Sequence, residues 1–405
     1  MRQKKQKMGF ILLFCLCSIY FYFPVFIPPD VFKATFALIA AFLLFKLVTG
    51  PKPKNPPKLR LKPGVVLIIA AIFFSIIPAF ISRGQSPVDS AIVLIAYVSY
   101  FFYFYLVNKQ PDVQKIERLV IRIGILTAFL YVVALALYPR IIFGNATADE
   151  INTNRGLARI GLGGFGFVHL SYYIVLNKWM VYKKKKWLLY AGGFLFCIML
   201  TLTRQLILVS FILGLNFLLS NMKLAVRIAL VVVIGVSAYL ALSNVPYVQK
   251  LTEQTENDRQ EYSSNIRVIS GTYFINSFSP DALARIFGNG EPAMKKSNYG
   301  KEVQNLKDQF GFFMSDVGFV GLYAKFGIFV IVGWVIVFIR TFKTKMAPSM
   351  VYGKYFMAFL ILTAVTSSTA DNYNFISAIA ISFYLIERAA KPKSPEGVLH
   401  PAPGL

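Results

Sequence analysis

Long apolar runs, separated by short segments rich in lysine and arginine, make up most of this chain. A helix needs about 20 mostly apolar residues to cross a bilayer, so each run is a candidate membrane span. Twelve runs qualify: Gly9–Ile27, Val31–Thr49, Gly64–Ser82, Val88–Val107, Arg118–Tyr138, Leu157–Leu176, Trp187–Thr203, Gln205–Ser220, Leu224–Leu242, Val317–Arg340, Tyr352–Ala370 and Tyr373–Glu387. The pattern predicts an all-α, polytopic membrane protein of about twelve transmembrane helices. We expect a single membrane domain over residues 1–391 and a disordered cytoplasmic tail over residues 392–405.

One long polar segment, Ser243–Asp316, interrupts the apolar pattern and holds nine of the eighteen acidic residues of the chain. Its apolar spacing and turn residues predict two short helices, Ser264–Phe278 and Asp281–Phe287. Ser279 can cap the second helix, and Gly288 ends it. We expect the segment to be a long extracytoplasmic loop that closes over a site in the membrane.

The composition excludes several classes of protein. Only 15% of the residues are charged, against about a quarter in a soluble domain. The net charge of +25 does not indicate nucleic-acid binding, because the basic residues lie between the apolar runs rather than on one folded face. Their uneven distribution instead places both termini in the cytoplasm and the long loop outside. All three cysteines lie inside apolar runs, so we expect no disulfide framework and no metal site.

A glycine-rich stretch, Gly161–Gly166, superficially matches a dinucleotide-binding fingerprint. It lies in a predicted span without a preceding strand, whereas that fingerprint requires one. We interpret the small residues as a surface that lets two helices pack closely.

Few arginines fall on the predicted outer side, and three of them suggest a binding site. Arg204 lies between two apolar runs, where a charge is costly unless it meets water, a partner or an anion. Arg155 and Arg159 are four residues apart and share one helix face. A guanidinium group binds two phosphate oxygens at once, so the set suggests a diphosphate group. The alternative is that each arginine extends to the membrane surface or pairs with a nearby acid.

Three other ionisable groups are candidates for chemistry or binding. Asp316 ends the long loop at the predicted membrane surface and is the best candidate for a base, and Glu291 follows a glycine turn in that loop. Lys325 lies within a predicted span and is a functional candidate for that reason. We expect Asp371, in a short loop, to be solvated, and His169 to be a hydrogen-bonded packing residue.

The order of these features resembles the bacterial O-antigen polymerase and O-antigen ligase superfamily. The resemblance covers roughly residues 155–327 and rests on four places in the sequence. They are Thr203-Arg204-Gln205 between two spans, Arg267 at the start of an amphipathic stretch, the turn Ile286–Gly290, and the entry into the next span over Ser315–Gly327.

The resemblance implies an integral-membrane glycosyltransferase of the C type. Its donor is a glycan on undecaprenyl diphosphate, and it uses no nucleotide sugar, metal or other cofactor. Arg204 and Arg267 then bind the diphosphate and stabilise it as it leaves, with help from Arg155 and Arg159. Ligases of the superfamily usually carry a histidine near the end of the long loop, and here Ser315-Asp316 stands there. This difference favours a polymerase in which Asp316 orients or deprotonates the acceptor hydroxyl.

Three functions therefore remain open. The leading one is a polymerase of a surface polysaccharide in the bacterial cytoplasmic membrane. The second is a ligase that moves finished glycan to an acceptor, and the third is a transporter or flippase. The implied partners are lipid-linked oligosaccharides, membrane lipid, and the chain-length regulator and flippase of the same pathway, with no nucleic acid.

Overall fold

A computed structural model describes residues 8–19, 25–51, 59–140, 142–143, 163–220, 222–242, 263–294 and 296–389. The α-helices in these ranges are α1 (Gly9–Cys17), α2 (Pro29–Thr49), α3 (Lys62–Phe74), α4 (Ile76–Ile81), α5 (Pro87–Val93), α6 (Phe102–Lys109), α7 (Val113–Ala136), α8 (Phe165–Tyr182), α9 (Lys185–Leu200), α10 (Arg204–Leu218), α11 (Leu224–Leu242), α12 (Ser263–Asn276), α13 (Ala282–Phe287), α14 (Asn298–Phe310), α15 (Phe319–Lys343), α16 (Tyr352–Thr363) and α17 (Tyr373–Ala389). Three 3₁₀ helices join them: Leu94–Phe101, Met314–Asp316 and Pro348–Met350.

Five helical segments of the described residues are long and apolar enough to cross a membrane. They are Asp30–Thr49, Lys62–Ile81, Pro87–Lys109, Val113–Ala136 and Phe319–Lys343. Shorter apolar helices cover Arg204–Leu218 and Ile228–Ser237. The prediction of a helical membrane protein is therefore confirmed, whereas the number of twelve spans stays a prediction.

The predicted spans Gly64–Ser82 and Val88–Val107 are each interrupted. The run Gly64–Ser82 breaks at Ser75, between α3 and α4. Pro78 explains the break, because a proline cannot donate a backbone hydrogen bond and its ring collides with the carbonyl of the residue four positions earlier. The run Val88–Val107 contains the 3₁₀ helix Leu94–Phe101. Residues three apart share a face in a 3₁₀ helix, and Tyr97 and Tyr100 both use their hydroxyls as donors to other parts of the chain.

Helices α8 and α17 form the centre of the bundle. In α8 every residue from Phe165 to Asn177 is buried. A Cβ atom on Gly166 would lie 2.8 Å from the Cα atom of Phe375 in α17. The close-packing interpretation of the glycine-rich stretch is thus confirmed at Gly166, while Gly161 lies outside the described residues.

The described part of the predicted loop folds into three α-helices, α12 to α14, and a 3₁₀ helix, around a small core that it shares with Val317 and with Ala324 of α15. Phe274, Phe278 and Tyr299 are fully or almost fully buried there. The predicted helix Asp281–Phe287 exists, but its cap is Asp281, which accepts a hydrogen bond of 2.8 Å from the backbone N–H of Ala284. This bond lowers the pKa of the Asp281 carboxyl.

Arg83, at the end of α4, fastens these loop helices to the bundle. Its Nε donates to Oδ1 of Asn289 at 2.8 Å, and its Nη1 donates to Glu302 at 2.9 Å. Its guanidinium group also lies over the rings of Phe278 and Tyr299, at 4.4 and 5.0 Å from their centroids. The Arg83 side chain therefore links several turns and helices of the segment between Phe278 and Glu302 to one another.

Candidate functional site

The site is built around the first part of α15, which is bounded at both ends by irregular backbone. The helix begins at Phe319, whose N–H donates to the carbonyl of Ala364 at 2.8 Å, in the turn after α16. It is broken at Gly327, which has φ 75° and ψ −172°. The short segment between these points lines one cavity through Val320, and Lys325 forms ion pairs with two residues that line a second.

The first cavity contains two of the three residues predicted to be catalytic. It has a volume of about 340 Å³, and both Arg267 of α12 and Asp316 of the 3₁₀ helix line it. Its other walls come from α12, the start of α15 and the turn after α16, including Val320 and Thr366. Both Arg267 and Asp316 are exposed. An arginine and a carboxylate from distant parts of the chain thus face one solvent-accessible space.

Arg204 begins α10 at the same end of the bundle. Its neighbour Gln205 donates through Nε2 to the carbonyls of Leu362 and Thr363, at 3.1 and 3.0 Å. These carbonyls end α16, directly before the turn that forms part of the cavity wall. Arg204 is not itself among the described residues that line this cavity. Tertiary packing nonetheless brings its helix terminus to the same turn.

On the other side of α15, the turn Gly288–Gly290 docks onto the broken helix. The N–H of Asn289 donates to the carbonyl of Ala324 at 3.0 Å, and that of Gly290 donates to the carbonyl of Lys325 at 2.8 Å. A Cβ atom on Gly288 would lie 2.5 Å from the backbone nitrogen of Gly327. Gly288 and Gly327 therefore allow a backbone-to-backbone contact that a side chain on either residue would prevent.

This contact assembles a buried ion cluster. The ammonium group of Lys325 lies 3.1 Å from Oε2 of Glu291 and forms a second ion pair with Asp371. The hydroxyl of Tyr97 donates to Oε2 of Glu291 at 2.9 Å. Lys325 and Asp371 are only 8% and 4% exposed. The two residues predicted to bind substrate in this part of the chain, Glu291 and Lys325, are thus direct partners.

The expectation that Asp371 is solvated was wrong. Its loop is short, but the loop folds inwards against Lys325, because a buried ammonium group requires a counter-charge. Burial raises the pKa of the Asp371 carboxyl, and the charge of Lys325 opposes this shift without cancelling it. Oδ1 of Asp371 has no hydrogen-bond partner among the described residues.

A second cavity, of about 530 Å³, opens beside this cluster. Tyr97, Glu291 and Asp371 line the part next to the cluster, and the mainly apolar remainder comes from α2, α5 and the segment after Glu291, with Lys33, Asp89 and Lys296 as its charged residues. The residues predicted from the sequence to act together therefore divide between two cavities. Asp316 and Arg267 share one, and Glu291 lines the other beside Lys325.

Two arginines and a histidine named in the sequence analysis remain to be placed. Arg155 and Arg159 lie outside the described residues. His169 is fully buried between the rings of Phe359 and Phe375, with centroid distances of 4.3 and 5.6 Å. It is a packing residue as expected, but neither ring nitrogen has a hydrogen-bond partner in the described part of the chain.

Within the described ranges, no group of three or more His, Cys, Asp or Glu residues is arranged to hold a metal ion.

Sequence reasoning missed Tyr97, Asp371 and Arg83 as members of this region. For Asp371 the signal was its position, an acid directly between two apolar runs, and nothing in the sequence distinguishes Tyr97 from the other tyrosines.

No protein-family model and no curated protein sequence matches the chain.

Proposed function

We propose that this chain is a bacterial membrane glycosyltransferase that polymerises a surface polysaccharide. It joins oligosaccharide repeat units carried on undecaprenyl diphosphate, on the outer face of the cytoplasmic membrane. About twelve spans and an outward-facing loop over Ser243–Asp316 belong to this proposal. The observation that carries it is the shared cavity of Arg267 and Asp316, next to the helix terminus that bears Arg204.

In the proposed reaction, an acceptor hydroxyl attacks the anomeric carbon of the donor glycan. A glycosidic C–O bond forms while the bond between that carbon and the diphosphate oxygen breaks. Asp316 takes the proton of the hydroxyl. The diphosphate leaves with the electron pair, and Arg267 and Arg204 stabilise its negative charge. Arg155 and Arg159 assist in holding the diphosphate, and the reaction uses no nucleotide sugar.

The test is complementation of a host from which the gene has been deleted. We expect Arg204→Ala, Arg267→Ala and Asp316→Asn to yield single repeat units where the wild-type protein yields a ladder. Each arginine supplies charge stabilisation in the transition state, so its loss should slow polymerisation on the order of 10²-fold. The matched control is Lys301→Ala, a charge removed from an exposed site on α14 outside both cavities.

Full-length polymer from correctly inserted Arg204→Ala and Arg267→Ala proteins would contradict the proposal. Long polymer that stays on its lipid carrier in the deletion host indicates the ligase instead. The same gel of extracted lipid-linked intermediates distinguishes these two results.

The buried cluster of Lys325, Glu291 and Asp371 specifically favours a second candidate, a transporter or flippase. Ionisable residues inside a membrane often mark ion or substrate pathways. This candidate predicts substrate movement across proteoliposomes without formation of a glycosidic bond. Bond formation by the purified protein in detergent would exclude transport as its sole activity.

A further inference from the structure

The cavity beside the ion cluster has the properties of a ligand site. Its volume of about 530 Å³ falls within the range of small-molecule sites. Ile92 of α5, Ala96 of the 3₁₀ helix and Pro292 give it apolar walls, and Tyr97, Glu291 and Asp371 meet at the ion cluster, while Lys33, Asp89 and Lys296 also line it. Apolar walls with a few convergent polar groups are what a specific, orientable ligand requires.

One buried atom at the polar end lacks a partner. Asp371 lines the cavity and is only 4% exposed, yet its Oδ1 accepts no hydrogen bond from the described residues. Oδ2 of Asp371 pairs with Lys325, but a buried carboxylate oxygen such as Oδ1 is costly without a donor, because it has lost water and accepts no bond in exchange. A ligand that presents a hydroxyl donor at this position would remove that cost.

The charges restrict the chemistry of the ligand. The charged groups that line or border the cavity balance one another: Lys33, Lys296 and Lys325 offset Asp89, Glu291 and Asp371. The cavity therefore has no net charge with which to select an anionic or a cationic ligand. A neutral ligand rich in hydroxyl groups fits this balance.

We propose that this cavity binds a neutral sugar residue of the acceptor glycan. The inference rests on the proposed function, since a polymerase must hold two lipid-linked glycans at once. Val320 of α15 lines the cavity that contains Arg267, and Lys325 pairs with Glu291 and Asp371, which line this one. The two α15 residues are roughly 8 Å apart along the helix axis, so one short helical segment supports both cavities.

The test fills the cavity from opposite walls without touching its charges. Ala37→Trp enters from α2, and Met294→Trp enters from the loop, where Met294 is partly exposed and a larger side chain is tolerated. Leu38→Trp is the matched control, because Leu38 is 73% exposed on another face of α2 and does not line the cavity. Melting temperature and size-exclusion profile in detergent check that each variant folds.

The probe is the oligosaccharide released by mild acid from the host's lipid-linked intermediates. Its binding to full-length protein in nanodiscs is measured by saturation-transfer NMR. We expect binding to the wild-type and Leu38→Trp proteins, and about tenfold or greater loss of affinity in both cavity-filling variants. Undetectable binding to the wild-type protein, or unchanged binding to a folded cavity-filling variant, would overturn the proposal. If Ala37→Trp fails to fold, Met294→Trp carries the test alone.

The Arg267→Ala protein separates this inference from the proposed function. We expect it to bind the released oligosaccharide normally, because Arg267 lines the other cavity, while it fails to polymerise. If it polymerises normally and the filled variants still lose binding, the polymerase mechanism fails and the glycan site stands. If it fails to polymerise and the filled variants bind normally, the glycan site alone is refuted.

Discussion

Lys325 is the residue on which the polar interior depends. It brings a positive charge into a buried part of the bundle, and Glu291 and Asp371 neutralise that charge from two other parts of the chain. Desolvation makes such a cluster expensive to build, and removal of one member leaves uncompensated charge behind. Because stability alone does not account for this costly cluster, we infer that it has a role in binding.

Lys325→Met should destabilise the protein strongly, because the buried carboxylate of Asp371 and the partly buried one of Glu291 then lose their shared counter-charge and repel one another. We expect a loss of roughly 3–5 kcal/mol, the usual cost of breaking a buried ion pair. Thermal unfolding in detergent measures it, with exposed Lys301→Met as the control. Adding Asp371→Asn to Lys325→Met should restore part of the loss, and a Lys325→Met protein as stable as the wild type would refute the idea.

Among the helices and turns, the break in α15 acts as a docking site. The interruption at Gly327 leaves the carbonyls of Ala324 and Lys325 available to the Gly288–Gly290 turn. Because the turn carries Asn289 and precedes Glu291, its position also determines the contact with Arg83 and the ion cluster. The loop and the membrane helix thus form one unit through their backbones.

Gly288→Ala should separate this turn from α15. Gly288 has φ +87°, and a new Cβ atom would lie 2.5 Å from backbone atoms of Phe326 and Gly327. Gly84→Ala is the control, since Gly84 also has positive φ but a Cβ atom added there would meet nothing within 4 Å. We expect faster hydrogen exchange over α13 and the following turn in Gly288→Ala only. Equal exchange in the two variants would show that backbone strain, rather than the close contact, dominates.

Across the bundle as a whole, polar contacts gather at two opposite ends. The candidate cavities lie at one end. At the other, Glu387 accepts hydrogen bonds from the backbone N–H groups of Arg60 and Leu61, at 2.9 and 2.6 Å, and from the hydroxyl of Tyr103. The loops predicted to be outside contact the first end, and those predicted to be inside contact the second. This grouping is what a membrane protein with two wet surfaces requires.

Cysteine labelling tests the predicted orientation. We expect a membrane-impermeant maleimide to label Lys301→Cys in intact cells, and Lys184→Cys only after permeabilisation, since the two exposed residues lie on opposite predicted sides. The native cysteines are buried and should contribute little background. Labelling of Lys184→Cys in intact cells would reverse the topology and place both cavities on the cytoplasmic side.

The class of fold and some local elements follow from the amino-acid sequence alone. Length and hydropathy of a run decide whether it can form a membrane helix, and neither depends on the rest of the chain. The apolar spacing that predicts a loop helix is local in the same way, and the predicted helix Ser264–Phe278 appears as Ser263–Asn276. Asp281–Phe287 appears one residue shorter, since Asp281 is its cap.

Which polar groups meet depends instead on how the helices and turns pack. Tyr97, Glu291, Lys325 and Asp371 come from four separate parts of the chain, and no local pattern records that they share one cluster. The helix Asn298–Phe310 went unpredicted for a related reason: it buries Tyr299 and Val303 in a core supplied by neighbouring segments. Charge compensation and burial both depend on residues that are far apart in the sequence. Only the packing of the helices brings these residues together.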